Sequence, residues 1–171
     1  MAALALAGPG AARAPLPDYR AITLRVAGAG LPQCRSYLPD GSEVPCLPRV
    51  TLRRGHAVDG WSAGGEIILT EGAVRRLTAD ELALLAGHEI AHWYLGHTAS
   101  TLANEAAADR LGAELACQAG YDVAKGVGLF RYVRESAVYP AAGVRVGAVL
   151  GRVEACLIRT GDTLLHVAIR G

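Results

Sequence analysis

The sequence predicts an α+β fold, mostly helical, in which two helices form an antiparallel hairpin packed beside a small sheet. Three observations predict it. The apolar mass is Ala, Leu and Val, with only 5% aromatic residues and a single Phe, which suits a tight helical core. Two long segments, 79–97 and 102–119, each open on a capping residue and close on glycine. Two short runs, Val50-Thr51-Leu52 and Glu66–Thr70, carry the β-branched residues of strands. At 171 residues the chain is long enough for one domain with a real core. A hydrophobic content of 51% against 19% charged excludes a disordered chain.

The elements follow in order. Residues 1–17 read as a leader, domain residues run from 18 to 157, and 158–171 form a tail of undetermined structure. The leader, MAALALAGPGAARAP, has a short apolar run and small residues around Gly10 to Ala14. That pattern suits the end of a secretory signal peptide lacking its basic start, and export to a periplasmic or extracellular space is the expectation. A loose Ala/Gly-rich leader is the alternative, and a cytoplasmic location stays open. Residues 18–30 suit a helix ended by Gly28 and Gly30, with a strand as its rival. Prolines at 32, 39, 45 and 48 predict irregular chain over 31–48, and 55–65 is turn-rich.

Glu71–Leu77 suits a short helix. Thr78 then serves as an N-cap with Glu81 as its capping-box partner, opening a helix to His97. Ser100 or Thr101 caps the next helix, which Gly120 closes. Residues 122–136 suit another helix, weakened by Gly126 and Gly128. Pro140 breaks the chain, and 143–157 is helical again. No run of about 18 apolar residues exists to span a membrane. With 17 basic against 16 acidic residues the net charge is +1, which argues against a nucleic-acid partner.

Chemistry concentrates in LLAGHEIAHWYLGH. His88 and His92 stand four apart on a helix, so both imidazoles reach one metal ion. Glu89 is rotated by about 100° and can reach a water at that metal without being a ligand. A core helix whose two histidines are satisfied by hydrogen bonds is the alternative. A third His in the pattern H-E-x-x-H-x-x-G-x-x-H is ruled out, because Gly96 and His97 are out of register. Glu105 and Asp109, again four apart, come level with His92 if the second helix doubles back on the first.

Taken together, EIILTEGAVRRLTADELALLAGHEIAHWYLGH and EAAADRLGAELACQAGYD resemble the zinc metallopeptidases of the HtpX, Oma and CAAX-protease type. These are gluzincins of metallopeptidase family forty-eight, and the chain resembles a soluble minimal form with a zincin-like fold. The resemblance is specific over about 58–122 and looser over 50–145. It implies one zinc ion per chain held by His88, His92 and Glu105, with Glu89 as the general base for the zinc-bound water. It implies that Asp109 holds a zinc-binding imidazole. His97 falls where the family often has His, as an orienting group or helix cap. Tyr139-Pro140 stands where the family often has His-Pro, and Arg145 follows at the family's spacing. Tyr139 could donate to a developing oxyanion, or simply pack at a helix break.

The implied activity is a metalloendopeptidase acting on peptide or protein substrates, with Glu66–Thr70 as the sheet edge for an extended substrate. Gly64 and Gly65 would leave room for close backbone approach, or form a turn. The rivals are a catalytically silent zinc-fold binding module, a zinc hydrolase of a non-peptide amide, and a metal-free helical protein. If the chain is exported, Cys34 is expected to pair with Cys46 and Cys117 with Cys156.

Overall fold

In a computed structural model, residues 16–30, 35–37, 39–133, 135–137 and 139–159 are described. Helix α1 (Tyr19–Gly30) opens the fold, with Asp18 accepting from the backbone N–H of Ala21. Strands β1 (Arg35–Tyr37) and β2 (Glu43–Pro45) pair antiparallel. This hairpin lies where proline density predicts irregular chain. A three-residue strand tolerates Pro45 because it ends there, at the margin of a two-stranded sheet.

The second sheet holds β3 (Arg49–Arg53), β4 (Gly60–Ala63) and β5 (Glu66–Thr70), in the order β3-β5-β4. β5 is parallel to β3 and antiparallel to β4. Two expectations are corrected here. Residues 55–65 contain a strand, and β5 is the central strand, so it offers no edge to a substrate. β4 has no β-branched residue, and pairing with β5 makes it a strand. Gly64 and Gly65 both have positive φ, +55° and +78°, and join β4 to β5 in a two-residue hairpin turn. They are turn residues, not close-approach residues.

Helix α2 (Glu71–Arg76) follows β5 directly, with Thr70 as its N-cap. Helix α3 (Ala79–Tyr94) begins with the expected capping box between Thr78 and Glu81. It ends three residues before His97. Gly96 turns left-handed at φ +67°, the Gly96 N–H donates to the Trp93 carbonyl, and the His97 N–H donates back to the His92 carbonyl at 3.0 Å. This is a Schellman closure, and it carries His97 back alongside the last turn. Thr101 caps α4 (Leu102–Gln118), which closes the same way at Gly120.

The single helix expected over 122–136 is instead a short α5 (Val123–Gly126) followed by a 3-10 turn over Val127–Tyr132. Helix α6 (Ala142–Arg159) is the last element among the described residues.

α3 and α4 form the expected hairpin, and α1, α6 and the sheet pack around it. One core includes Ile22 and Val26 of α1, Ile67 and Leu69 of β5, Leu82 and Ile90 of α3, Leu115 of α4, and Val149 of α6. The α3–α4 contact is unusually close. A Cβ on Gly87 would fall 2.5 Å from the Gly112 carbonyl oxygen, and one on Gly112 would fall 2.5 Å from the His88 amide nitrogen. Only glycine fits at either position, and the crossing brings His88 against the residues one turn back on α4.

Among the described residues no helix is long and apolar enough to cross a membrane. Cys46 and Cys117 are disulfide-bonded, and no described cysteine is free. Cys34, residues 1–15 and residues 160–171 lie outside the described residues, as does the side chain of Cys156. The expected pairings, the leader and most of the tail therefore fall there too.

Candidate metal centre

His88, Glu89 and His92 lie on α3, and Glu105 and Asp109 lie on α4. One ligand atom from each of His88, His92 and Glu105 falls within 4.8 Å of the others. His88 Nε2 is 3.0 Å from His92 Nε2 and 3.2 Å from Glu105 Oε2, and His92 Nε2 is 3.5 Å from Glu105 Oε1. Glu105 is fully buried, yet neither carboxylate oxygen has a hydrogen-bond partner among the described residues.

The far side of each imidazole is already committed. His88 Nδ1 lies 2.9 Å from Asp109 Oδ1, and His92 Nδ1 lies 2.9 Å from His97 Nδ1. With Nδ1–H donated outward, both Nε2 atoms present lone pairs inward. Two lone pairs and two carboxylate oxygens then converge with no hydrogen among them. Such a cluster needs either a cation or an added proton. Without a metal, burial lowers the His88 pKa, but its hydrogen bond to Asp109 and the close Glu105 carboxylate outweigh it and raise it to about 9. A bound cation would take the place of that proton.

The supporting groups sit behind the cluster. Arg145 of α6 donates to Asp109 through Nε at 2.7 Å and Nη2 at 2.6 Å, and both side chains are buried. Burial pushes the Asp109 pKa up, but the bonds from Arg145 and His88 prevail and hold it below the usual carboxylate range. The Glu105 pKa is likewise lowered, with burial opposed by the histidines. Partial burial and the neighbouring His92 push His97 down, which keeps it neutral and able to accept. The Arg145 guanidinium lies 4.8 Å from the Phe130 ring centroid and 5.7 Å from that of Tyr139.

Glu89 stands apart from the cluster and is buried at the wall of a cleft. Burial raises its pKa, with the histidines pulling the other way and Glu105 and Asp59 adding to the rise. Sequence reasoning missed one residue beside it. Gly60 of β4 lies so close that a Cβ there would meet Glu89 Cγ at 3.3 Å and Leu69 Cδ2 at 3.1 Å. The strand itself went unrecognised, so its contact with Glu89 carried no sequence signal.

Gly60, His88, Glu89 and Tyr139 line two adjoining cavities, of about 420 Å³ and about 190 Å³. The structure thus brings together all the sequence-predicted residues: His88, His92 and Glu105 in the cluster, Glu89 and Tyr139 at the cleft, and Asp109, His97 and Arg145 behind.

A helix hairpin bearing a buried His-His-Glu cluster beside a carboxylate at a cleft defines a candidate hydrolytic metal centre. Residues 56–105 match the model of peptidase family M48, a similarity that covers under a third of the chain. The match ends at Glu105, short of Asp109, Tyr139 and Arg145. Comparison with curated proteins and with solved structures found no match.

Proposed function

We propose that the chain is a zinc-dependent metalloendopeptidase in which His88, His92 and Glu105 hold the metal and Glu89 is the general base. The observation that carries this reading is the pair of fully buried Glu105 oxygens that have no hydrogen-bond partner among the described residues and face two imidazole nitrogens. Ligand atoms about 2.0–2.2 Å from a tetrahedral zinc lie roughly 3.3–3.6 Å apart. The spacings of 3.0, 3.2 and 3.5 Å come near that range. Two imidazoles and one carboxylate are also the donor set of catalytic zinc sites, which keep a position open. When bound, zinc would supply Lewis acidity and a water acidic enough to ionise near neutral pH.

The chain's own residues do the rest. Asp109 fixes the tautomer and orientation of His88, and Arg145 holds Asp109 ionised and in place. His97 does the same for His92 by accepting from its Nδ1. Glu89 takes a proton from the attacking water as the new C–O bond forms. As the C–N bond breaks, it delivers that proton to the leaving nitrogen. Its raised pKa makes it a stronger base for the first transfer. Tyr139, which borders both cavities, would donate to the oxygen on which charge develops. β4, not β5, supplies the edge along which an extended peptide pairs. It is the outer strand of its sheet, and Gly60, Trp61 and Ser62 line the cavity beside His92.

Retention of Glu89 beside the cluster favours turnover over a silent binding module, since a structural site does not need that base. The bonded Cys46 and Cys117 support residence in an oxidising compartment. The direct test is elemental analysis together with casein digestion, for the wild type and Glu89→Gln in parallel. Zinc in both proteins with digestion by the wild type alone is expected. Digestion by Glu89→Gln at the wild-type rate overturns the mechanism.

A further inference from the structure

The two cavities that meet at Glu89 differ in chemistry. The smaller is polar and open, bordered by Ser62, Thr98 and Ser100. The larger, of about 420 Å³, is walled by Val58, Leu84, Leu85, Leu129, Phe130 and Val133. Its buried cation, Arg145, is neutralised by Asp109 at 2.6 and 2.7 Å and is not free for a ligand. Asp59 and Glu135, both exposed, stand at its rim. The wall itself is a built feature. The 3-10 turn over Val127–Tyr132 brings Leu129 and Phe130 inward, and Arg131 of that turn is tied to buried Glu81 of α3.

We infer that this cleft is a specificity pocket that selects substrates with a bulky apolar side chain immediately beside the scissile bond, on one side only, and rejects an acidic one there. The inference rests on the peptidase reading and names its substrate class. Gly60, His88, Glu89 and Tyr139 border both cavities, so the bond to be cut lies at their junction. A side chain entering the larger cleft replaces water on apolar walls. An acidic side chain faces Asp59 and Glu135, with no free cation among the described residues that line the cleft. The opposite side of the junction meets Trp61 together with the hydroxyls of Ser62, Thr98 and Ser100, a mostly polar, solvent-open surface that discriminates little.

Apolar pockets discriminate by roughly 10–200-fold per methylene. The test is a quenched peptide series in one frame, incubated with the zinc-loaded full chain. The residue on each side of the scissile bond is varied in turn through Ala, Leu, Phe, Lys and Glu. On one side kcat/KM for Leu or Phe should exceed that for Ala by about tenfold or more, with Glu poorest. On the other side the five should differ little. Equal rates for all five on both sides overturn the inference.

Val133→Asp places a carboxylate in the half-buried wall and should lift Lys above Phe on the selective side. An unchanged ranking removes the larger cleft as its source. Affinity of the same peptides for zinc-loaded Glu89→Gln, measured by fluorescence anisotropy, separates the two readings. Phe binding more tightly than Ala and Glu, with no hydrolysis by the wild type, supports the pocket and overturns the peptidase. Binding that ignores the side chain overturns the pocket whatever the activity.

Discussion

Replacing Gly112 with Ala tests whether the metal cluster depends on the close crossing of α3 and α4. The new Cβ would lie 2.5 Å from the His88 nitrogen, 2.7 Å from the Gly87 carbonyl carbon and 2.8 Å from the His88 Cα. Those are backbone atoms of a buried helix and have no rotamer to give. Ordinary contact needs about 3.5 Å or more, so the helices must part by roughly 1 Å. Catalytic constellations tolerate about 0.5 Å. The displacement acts on the cluster itself, because His88 rides on one helix while Glu105 and Asp109, 3.2 and 2.9 Å away, ride on the other. We expect zinc affinity, read by competition with a chromophoric chelator, to fall by at least the roughly 10–100-fold cost of disturbing an orienting partner. Overpacking should cost about 1–3 kcal/mol of stability in the zinc-free protein, and each kcal/mol lowers Tm by about 2–4 °C at this size. A variant with wild-type zinc affinity and an unchanged melt would refute the glycine contact as what sets the site.

Other substitutions separate the remaining roles. Glu105→Ala should abolish stoichiometric zinc binding, whereas His97→Ala should weaken it by about tenfold or more and leave zinc in place. Equal retention by both, on elemental analysis after dialysis, would remove Glu105 from the ligand set. Tyr139→Phe should lower kcat by about a hundred- to a thousandfold with little change in KM if the phenol meets the oxyanion, and an unchanged kcat returns Tyr139 to packing. Glu81→Gln should cost about 1 kcal/mol through the weakened cap. Burial raises the Glu81 pKa, but bonds from Arg131 and Thr78 outweigh it and leave it lowered. The wild-type advantage is therefore full above the unfolded value of about 4.3 and lost as pH falls through the lower folded value. Thermal melts at pH 7 and pH 2–3 check this, and a difference that grows on acidification would contradict it.

The parts of the fold written in local chemistry were legible in the sequence. Thr78 with Glu81, Thr101, and Gly120 each fix a helix end through one turn of chain, and all three do so in the structure. The four-residue spacing of His88 with His92 and of Glu105 with Asp109 sufficed to predict the cluster, because helix geometry and a short turn determine it. α3 ends three residues short of His97, since a Schellman closure at Gly96 and a helix running through it share one composition. What depends on partners was not legible. Gly60-Trp61-Ser62-Ala63 becomes a strand only against β5, so the edge beside the site was assigned to β5 instead. Gly87 and Gly112 carry no linear signal, and only the crossing shows each beneath the other's backbone. The apolar cleft draws its walls from three segments distant in sequence and has no linear signature.

The central claim is that Glu89 moves a proton beside a metal it does not bind. It is tested most directly by zinc content and casein digestion of Glu89→Gln beside the wild type. About one zinc per chain in both proteins, with digestion abolished only in the variant, is the predicted result. Loss of zinc from Glu89→Gln, or digestion at the wild-type rate, would contradict it.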